Sequence, residues 1–173
     1  LSYSGLSKSV EPNNGTFNED FLSNLKNTNS IHKVHYWRPI IEGINDNKQT
    51  LERVLITAGS IVDCSIVSGI RLSKEVIASL EKHTGISFKY SEHRAIHKYI
   101  SDKTIEKILN LRTQIGNKYL LFRHTACVVS YFENMPNYNL CYLKPKNCIF
   151  GCPHKANCRT TVSLCSEQLR SLR

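Results

Sequence analysis

In the first half of the chain, segments with the hydrophobic pattern of a strand alternate with segments that have the pattern of a helix. Short apolar or alternating runs, typical of β-strands, occupy residues 1–5, 34–41 and 63–70. Apolar residues at helical spacing occupy residues 17–26, 48–58 and 73–82. Ser73 and the polar turn 42–46 supply residue types that cap the start of a helix. The pattern therefore predicts strands that alternate with helices.

This alternation predicts how the strands are arranged. Helices of about ten residues between successive strands are typical of a parallel sheet with right-handed crossovers. We therefore predict an α/β fold in which residues 1–83 form half of a barrel. In parallel α/β folds the functional residues lie at the carboxyl ends of the strands and in the loops that follow. Here those positions are Ser4 and Gly5, residues 38–46 and residues 68–71.

The second half of the chain, residues 84–173, has a less regular pattern and is predicted to be a helical and loop extension. Residues 86–100 are predicted to be mostly loop. His93 and His97 are four residues apart and could share a helix face, but no third ligand is placed to complete a metal site, so a solvated face is favoured. The remaining predicted elements are a helix from Asp102, a strand at 119–122 and a helix at 125–133.

Three cysteines within eleven residues are the strongest chemical signal in the sequence. Cys148, Cys152 and Cys158 surround Gly151 and Pro153, which favour a sharply folded loop. Four thiolates suit either zinc or an iron–sulfur cluster. The C-x₃-C-x₅-C spacing favours iron–sulfur, because zinc sites favour two close pairs. Seven cysteines exclude a fully paired set of intramolecular disulfides, and buried free thiols are the other alternative.

The fourth ligand of this site has two candidates, Cys127 and Cys141. Cys141 is nearer in sequence to the other three. Cys127 lies near the start of a predicted helix, where backbone N–H groups stabilise a thiolate, and a helix would anchor the site to the folded body. The predicted metal ligands are therefore Cys127, Cys148, Cys152 and Cys158, whereas Cys64 and Cys165 are predicted to be free thiols.

Composition and charge add expectations about compartment and partners. No apolar stretch approaches the roughly 18 residues that cross a bilayer, which predicts a soluble chain without a membrane partner and the cytoplasm as the default compartment. The net charge is +9, and the residues after Asn117 include eight Lys/Arg and two acidic residues. This imbalance suits nucleic acid or another phosphate-bearing partner, or a merely basic surface. The chain begins at Leu1 and its only methionine is Met135, so we expect a truncated piece.

Four stretches within residues 1–83 carry a family resemblance. They are Leu1-Ser-Tyr-Ser-Gly, Val10-Glu11-Pro12-Asn13, Val34-His-Tyr-Trp-Arg38-Pro39 with Gly43-Ile44-Asn45-Asp46, and Val67-Ser-Gly-Ile-Arg71-Leu72. Together they resemble the later strands of a radical S-adenosylmethionine enzyme, and the Arg-Pro…Gly-x-Asn-Asp segment is the most specific part. The C-x₃-C-x₂-C loop that binds the first cluster of that superfamily is absent from this sequence, where Lys155 stands in place of the third cysteine.

The resemblance implies a fold, cofactors and site residues. Residues 1–83 would form strands four to six of a partial, TIM-like (β/α)₆ barrel, and the missing N-terminal half would bind S-adenosylmethionine and a [4Fe–4S] cluster. The extension would hold an auxiliary [4Fe–4S] cluster. Ser2 and Ser4 match positions that hydrogen-bond the ribose or amino-acid part of S-adenosylmethionine, and Arg38 suits its carboxylate. The alternatives are satisfied polar groups for the serines and a surface ion pair for Arg38.

Two functions follow from these expectations. The first is the carboxyl-terminal part of an enzyme that generates a 5′-deoxyadenosyl radical, which abstracts hydrogen from an unidentified substrate. The second is a zinc-stabilised basic module that binds nucleic acid without catalysis. The second accounts for the cysteines and the charge but not for the alternation of strands and helices.

Overall fold

The alternation of strands and helices read from the sequence is present in the structure. The computed structural model describes residues 2–6, 10, 24–25, 28, 31–116 and 119–134. Two compact units, Leu1–Tyr119 and Leu120–Arg173, divide the chain. The described elements of the first unit are β1 (Val34–Trp37), α1 (Lys48–Gly59), β2 (Cys64–Val67), α2 (Lys74–Thr84), α3 (Glu92–Ile96) and α4 (Asp102–Gln114). Those of the second unit are β3 (Leu120–Phe122) and α5 (Thr125–Phe132).

A small parallel sheet organises the first unit. Strands β1 and β2 run parallel, with His35 opposite Ser65. The first described residues extend the sheet on the other side of β1, because Ser2 and Tyr36 form a parallel bridge and the Tyr3 N–H donates to the Tyr36 carbonyl at 3.2 Å. Two parallel strands require a crossover, and α1 lies in that connection. The predicted α/β fold with parallel strands is therefore confirmed, and the barrel stays a prediction.

The helices begin where polar caps occur in the sequence. The side chain of Asn47 accepts the Thr50 N–H at 2.9 Å and starts α1. Ser73 caps α2, as predicted. Ser101, one residue before the predicted Asp102, caps α4. Helix α1 then buries an apolar stripe at the spacing of an amphipathic helix, and its members are Leu51, Val54, Leu55 and Ala58.

Residues 86–101 cross the carboxyl end of β2, and we name them the cover segment. The Leu72 N–H donates to the Arg94 carbonyl at 2.8 Å, and the Tyr99 N–H donates to the Ile70 carbonyl at 3.2 Å. The segment was predicted to be mostly loop, but it contains the short helix α3, which Ser91 caps. The predicted boundary between residues 83 and 84 falls at the last residue of α2, and the residues on both sides of it belong to the first unit.

The second unit shows a strand and a helix at the positions that the sequence predicted. Strand β3 spans Leu120–Phe122 and α5 spans Thr125–Phe132, so both predicted elements are confirmed. The rings of Phe122 and Tyr131 pack with their centroids 5.5 Å apart. Across both units, no helix among the described residues is long and apolar enough to cross a membrane.

Gly69 lies directly against the backbone of the cover segment. A Cβ atom at this position would lie 1.5 Å from the Tyr99 carbonyl oxygen and 2.4 Å from its carbon. The obstructing atoms belong to the backbone, so they cannot rotate away as a side chain would. Only a residue without a side chain lets the cover segment pair with Ile70 here.

We expect Gly69→Ala to destabilise the protein by at least about 2 kcal/mol, because the cover segment must move to admit the methyl group. Urea unfolding followed by circular dichroism measures this change. The matched control is Gly116→Ala, whose φ is +68° and whose Cβ would meet no atom within 4 Å. Backbone strain alone should cost the control about 1 kcal/mol. Equal losses in the two variants would contradict the close approach at Gly69.

Candidate functional site

One buried side-chain amide holds the carboxyl end of β1. Asn45 is 1% exposed. Its Oδ1 accepts the Ile41 N–H at 2.7 Å, and its Nδ2 donates to the carbonyl oxygens of Ser4 at 2.7 Å and Pro39 at 3.0 Å. These bonds tie residues 2–6 to the turn that follows β1. The Gly-Ile-Asn-Asp segment singled out in the sequence therefore contains the residue that joins the two strand ends.

Glu42 connects the same turn to the cover segment and to α4. Its Oε2 accepts from Nη2 of Arg94 at 3.1 Å, and its Oε1 accepts the Ser101 N–H at 3.1 Å. The Thr104 hydroxyl also lies 3.3 Å from Oε1. The guanidinium of Arg94 stacks on Tyr99, with its Cζ 4.4 Å from the ring centroid. Donors from the cover segment and α4 therefore occupy both oxygens of Glu42. These hydrogen bonds hold both elements against the turn.

Asp46 makes a second polar link to α4. Its Oδ1 accepts the Gly43 N–H at 2.8 Å, and its Oδ2 lies 2.9 Å from Nζ of Lys107. Burial alone would raise the pKa of Asp46, but hydrogen bonds from Lys107, Gly43 and Thr104, with the charge of Lys107, hold that pKa below its usual value. Asp46 is therefore ionised at neutral pH and pairs with Lys107.

A buried histidine on β1 has no exposed surface. His35 is 0% exposed, and its Nδ1 lies 2.9 Å from the Ser65 hydroxyl while its Nε2 lies 2.9 Å from the Tyr3 carbonyl. A carbonyl only accepts, so Nε2 carries the hydrogen and Nδ1 accepts from Ser65. Burial lowers the pKa of His35 from 6.5 to about 4, although the hydrogen bond to Tyr3 opposes this shift. The ring is neutral at physiological pH and joins adjacent strands.

Two of the three residues predicted to bind S-adenosylmethionine adjoin Tyr36, one through a backbone pairing and one through its side chain. Ser2 is exposed and pairs with Tyr36, and directly paired residues face the same side of a sheet. Arg38 is exposed, and its Cζ lies 4.6 Å from the centroid of the Tyr36 ring. The sequence prediction missed Tyr36, although its position two residues before Arg38 places both on one face of the strand. We name Ser2, Tyr36 and Arg38 the tyrosine platform.

The third predicted residue, Ser4, is in a different environment. It is 1% exposed, and its Oγ accepts the Leu6 N–H at 3.1 Å. Its carbonyl oxygen accepts from Asn45. The Ser4 hydroxyl oxygen therefore serves the local backbone in this structure, and a ligand would need this residue to become exposed.

Only one of the four predicted metal ligands, Cys127, is among the described residues. Cys127 is 8% exposed on α5, and its N–H donates to the His124 carbonyl at 3.0 Å. The other candidates, Cys141, Cys148, Cys152 and Cys158, lie outside the described residues. Within the part of the chain that the structure describes, no three His, Cys, Asp or Glu side chains are grouped to hold a metal. His93 and His97 are both exposed, with ring centroids 4.9 Å apart.

Cys64 on β2 is a free, buried thiol. Burial raises the pKa of this thiol to about 12, and the charge of Asp63 adds to the effect. The thiolate is the reactive and metal-binding form of cysteine. Cys64 is therefore unreactive at neutral pH.

A pocket of about 150 Å³ lies at the carboxyl ends of β1 and β2, beneath the cover segment. We name it the edge pocket. Its walls include Ile40 and Ile41 after β1, Leu72 after β2, and Phe88 and Tyr99 from the cover segment. Glu42, Lys89 and Arg94 add polar groups to the lining. The pocket occupies the edge of the sheet where ligands bind in parallel α/β proteins.

Comparisons with known proteins assign no family to this chain. No protein-family model matches it, and searches of curated proteins and of solved structures also found no match. The resemblance to radical S-adenosylmethionine enzymes therefore rests on the residues of this sequence.

We expect the stability of the protein to fall as the pH is lowered from 6.5 to about 4, because the unfolded chain then protonates His35 while the folded chain does not. The shift corresponds to a loss of roughly 3 kcal/mol at the acid end. Stability contributed by Asp46, whose pKa is also lowered, is lost at more acid pH, as the pH falls below 3.8.

Urea unfolding at a series of pH values measures this dependence. His35→Gln should remove most of the slope between pH 6.5 and 4, whereas the exposed His83→Gln should leave it unchanged. A wild-type slope that persists in His35→Gln would show that another group titrates.

Proposed function

We propose that residues 1–83 supply strands four to six of a radical S-adenosylmethionine partial barrel and that the extension binds an auxiliary [4Fe–4S] cluster. The observation that carries the proposal is the tyrosine platform. Ser2 and Arg38 are assigned to the cosubstrate by the resemblance alone. Both adjoin Tyr36: Ser2 pairs with its backbone, and Arg38 lies over its ring. The parallel pairing of β1 and β2 supports the barrel part of the proposal.

The chemistry of Arg38 fits a carboxylate ligand. A guanidinium that stacks on an aromatic face keeps its N–H donors in the guanidinium plane, where they can form two parallel hydrogen bonds to a carboxylate. Among the described residues the ion pairs are His32–Asp63, Arg94–Glu42 and Lys107–Asp46, so Arg38 forms none of them. The surface-ion-pair alternative for Arg38 therefore gains no support from the described residues. The neighbouring Ser2 hydroxyl can donate to or accept from a polar ligand group.

In the proposed enzyme, S-adenosylmethionine bound at a [4Fe–4S] cluster supplies the radical chemistry. This chain's residues would position it: Arg38 would hold the carboxylate and Ser2 would contact a neighbouring polar group. Residues 1–173 contain no C-x₃-C-x₂-C loop, so a further polypeptide segment would hold this cluster. The substrate is proposed to bear phosphate or to be nucleic acid, because the basic residues after Asn117 favour anions. The proposed compartment is the cytoplasm.

We expect the chain to bind iron and sulfide after anaerobic reconstitution. Cys127→Ser should lose most of the iron, since it removes one of the four proposed thiolates. Cys141→Ser tests the nearer candidate and should keep the iron, as should the control Cys165→Ser. Metal and sulfide analysis with an absorption spectrum checks these outcomes. A colourless protein with one zinc would contradict the cluster and favour the zinc module, and iron loss only in Cys141→Ser would reassign the fourth ligand.

We expect Arg38→Lys to weaken S-adenosylmethionine binding roughly tenfold in the enzyme that contains both clusters, because an ammonium cannot reproduce a two-pronged contact. The exposed Arg71, which follows β2, provides the matched control Arg71→Lys. Titration calorimetry measures both affinities. The present chain alone should give no binding heat, because the cluster that would chelate the cosubstrate is missing. Equal affinities in the Arg38→Lys variant and the unmodified enzyme would mean that Arg38 does not contact the carboxylate.

A further inference from the structure

The edge pocket has a chemistry that the proposed S-adenosylmethionine contacts do not use. Its lining comes from the ends of two strands and from the cover segment, and it does not include Ser2, Tyr36 or Arg38. We propose that the edge pocket binds a small carboxylic acid whose apolar body is about the size of a benzene ring. This proposal rests on the pocket itself and does not depend on the radical S-adenosylmethionine assignment.

The size and apolar walls of the pocket define the body of the ligand. Three apolar side chains of the lining are each less than 5% exposed and are therefore held by packing: Ile40, Ile41 and Leu72. Ile41 and Leu72 belong to a hydrophobic cluster against which Ile70 and Phe88 pack. An apolar cavity of about 150 Å³ is large enough to take up benzene in another protein. A planar ring or a short branched chain therefore matches the space.

The charges around the pocket define the polar end of the ligand. Glu42 and Arg94 form an ion pair at 3.1 Å, so their charges cancel. Lys89 is exposed and lines the same pocket, and it forms none of the ion pairs found among the described residues. The lining therefore carries one net positive charge, which favours an anionic ligand.

The hydrogen bonds of Glu42 and Arg94 also favour a carboxylate over an amine. Both oxygens of Glu42 already accept hydrogen bonds, from Arg94 on one side and from the Ser101 N–H on the other. A cationic ligand would have to compete with those donors. Arg94 donates through Nη2 to Glu42, and a guanidinium has five N–H donors in total, so it can also donate to a second carboxylate. The contact with the Tyr99 ring helps to hold the guanidinium in place.

The edge pocket lies at a position that is typical of ligand-binding sites. Ligands of parallel α/β proteins bind beyond the carboxyl ends of the strands, where neighbouring loops diverge. The cover segment closes this position through the close approach at Gly69 and the pairing of Ile70 with Tyr99. The same backbone contacts shape the pocket before any ligand arrives, so binding requires little ordering.

The test uses the full chain with three probes of equal body size: benzoate, benzyl alcohol and protonated benzylamine. Backbone ¹H–¹⁵N spectra follow each titration. Benzoate should shift the amides of Ile41, Leu72 and Tyr99 saturably at concentrations on the order of 10 mM or lower. Benzyl alcohol should bind several-fold more weakly, and benzylamine should produce no saturable shift. Equal binding of benzoate and benzyl alcohol would overturn the role of the charge, and no saturable shift at these amides with benzoate would overturn the site.

A charge reversal separates the pocket from the generally basic surface. Lys89→Glu should weaken benzoate binding roughly tenfold, because it replaces an attractive charge at the pocket with a repulsive one. Lys98→Glu is the matched control, since Lys98 is exposed on the same segment and does not line the pocket. The control should change the affinity less than about twofold. Equal effects of both variants would contradict the proposal. These measurements need neither iron nor S-adenosylmethionine, so their failure leaves the proposed function untouched.

Discussion

The buried amide of Asn45 is the contact on which the carboxyl edge of the sheet depends. The backbone at the end of a strand leaves N–H and carbonyl groups without sheet partners, and burying such groups unpaired costs about 1–3 kcal/mol each. Asn45 satisfies three of them, on Ile41, Ser4 and Pro39. It is a suitable residue because one amide group both donates and accepts. Residues 2–6 and the turn after β1 thus become one rigid edge.

Two carboxylates of the same turn, Glu42 and Asp46, connect this edge to other elements. Glu42 reaches the cover segment and the start of α4, and Asp46 reaches Lys107 on α4. Because the three residues share one short turn, fixing the backbone of Asn45 also fixes both carboxylates. The edge pocket adjoins this turn, since Ile41 and Glu42 line it, so its geometry depends on the polar side chains between residues 42 and 46.

Local signals in the sequence were sufficient to predict most of the elements. Apolar periodicity and the cap Ser73 act over one or two turns, so they can be read without knowing the fold. The other two caps, Asn47 and Ser101, each lie one residue from the predicted positions, the turn 42–46 and Asp102. The cover segment was not recognised because it is held by the pairing of Ile70 with Tyr99. These residues are far apart in the sequence, and local patterns carry no information about such a pairing. The platform was only partly foreseen: Arg38 and Ser2 were named from a resemblance, but Tyr36 becomes apparent only when the register is known. For Ser4, burial and its hydrogen bond to Leu6 depend on the tertiary fold.

The most direct test of this account is the hydrogen exchange of the Ile41 amide, which donates to the side chain of Asn45. The Ile40 amide, which donates to the Ser68 carbonyl, reports on the same edge, and an interior amide of α1 serves as the reference. In the unmodified protein, the Ile41 amide should be protected to a degree similar to that of Ile40. Asn45→Ala should accelerate exchange at the Ile40 and Ile41 amides roughly 5- to 150-fold, since a lost buried hydrogen bond corresponds to about 1–3 kcal/mol, and should change the α1 amide much less. An Ile41 amide that exchanges at the same rate with and without the Asn45 side chain would contradict the central role of this contact.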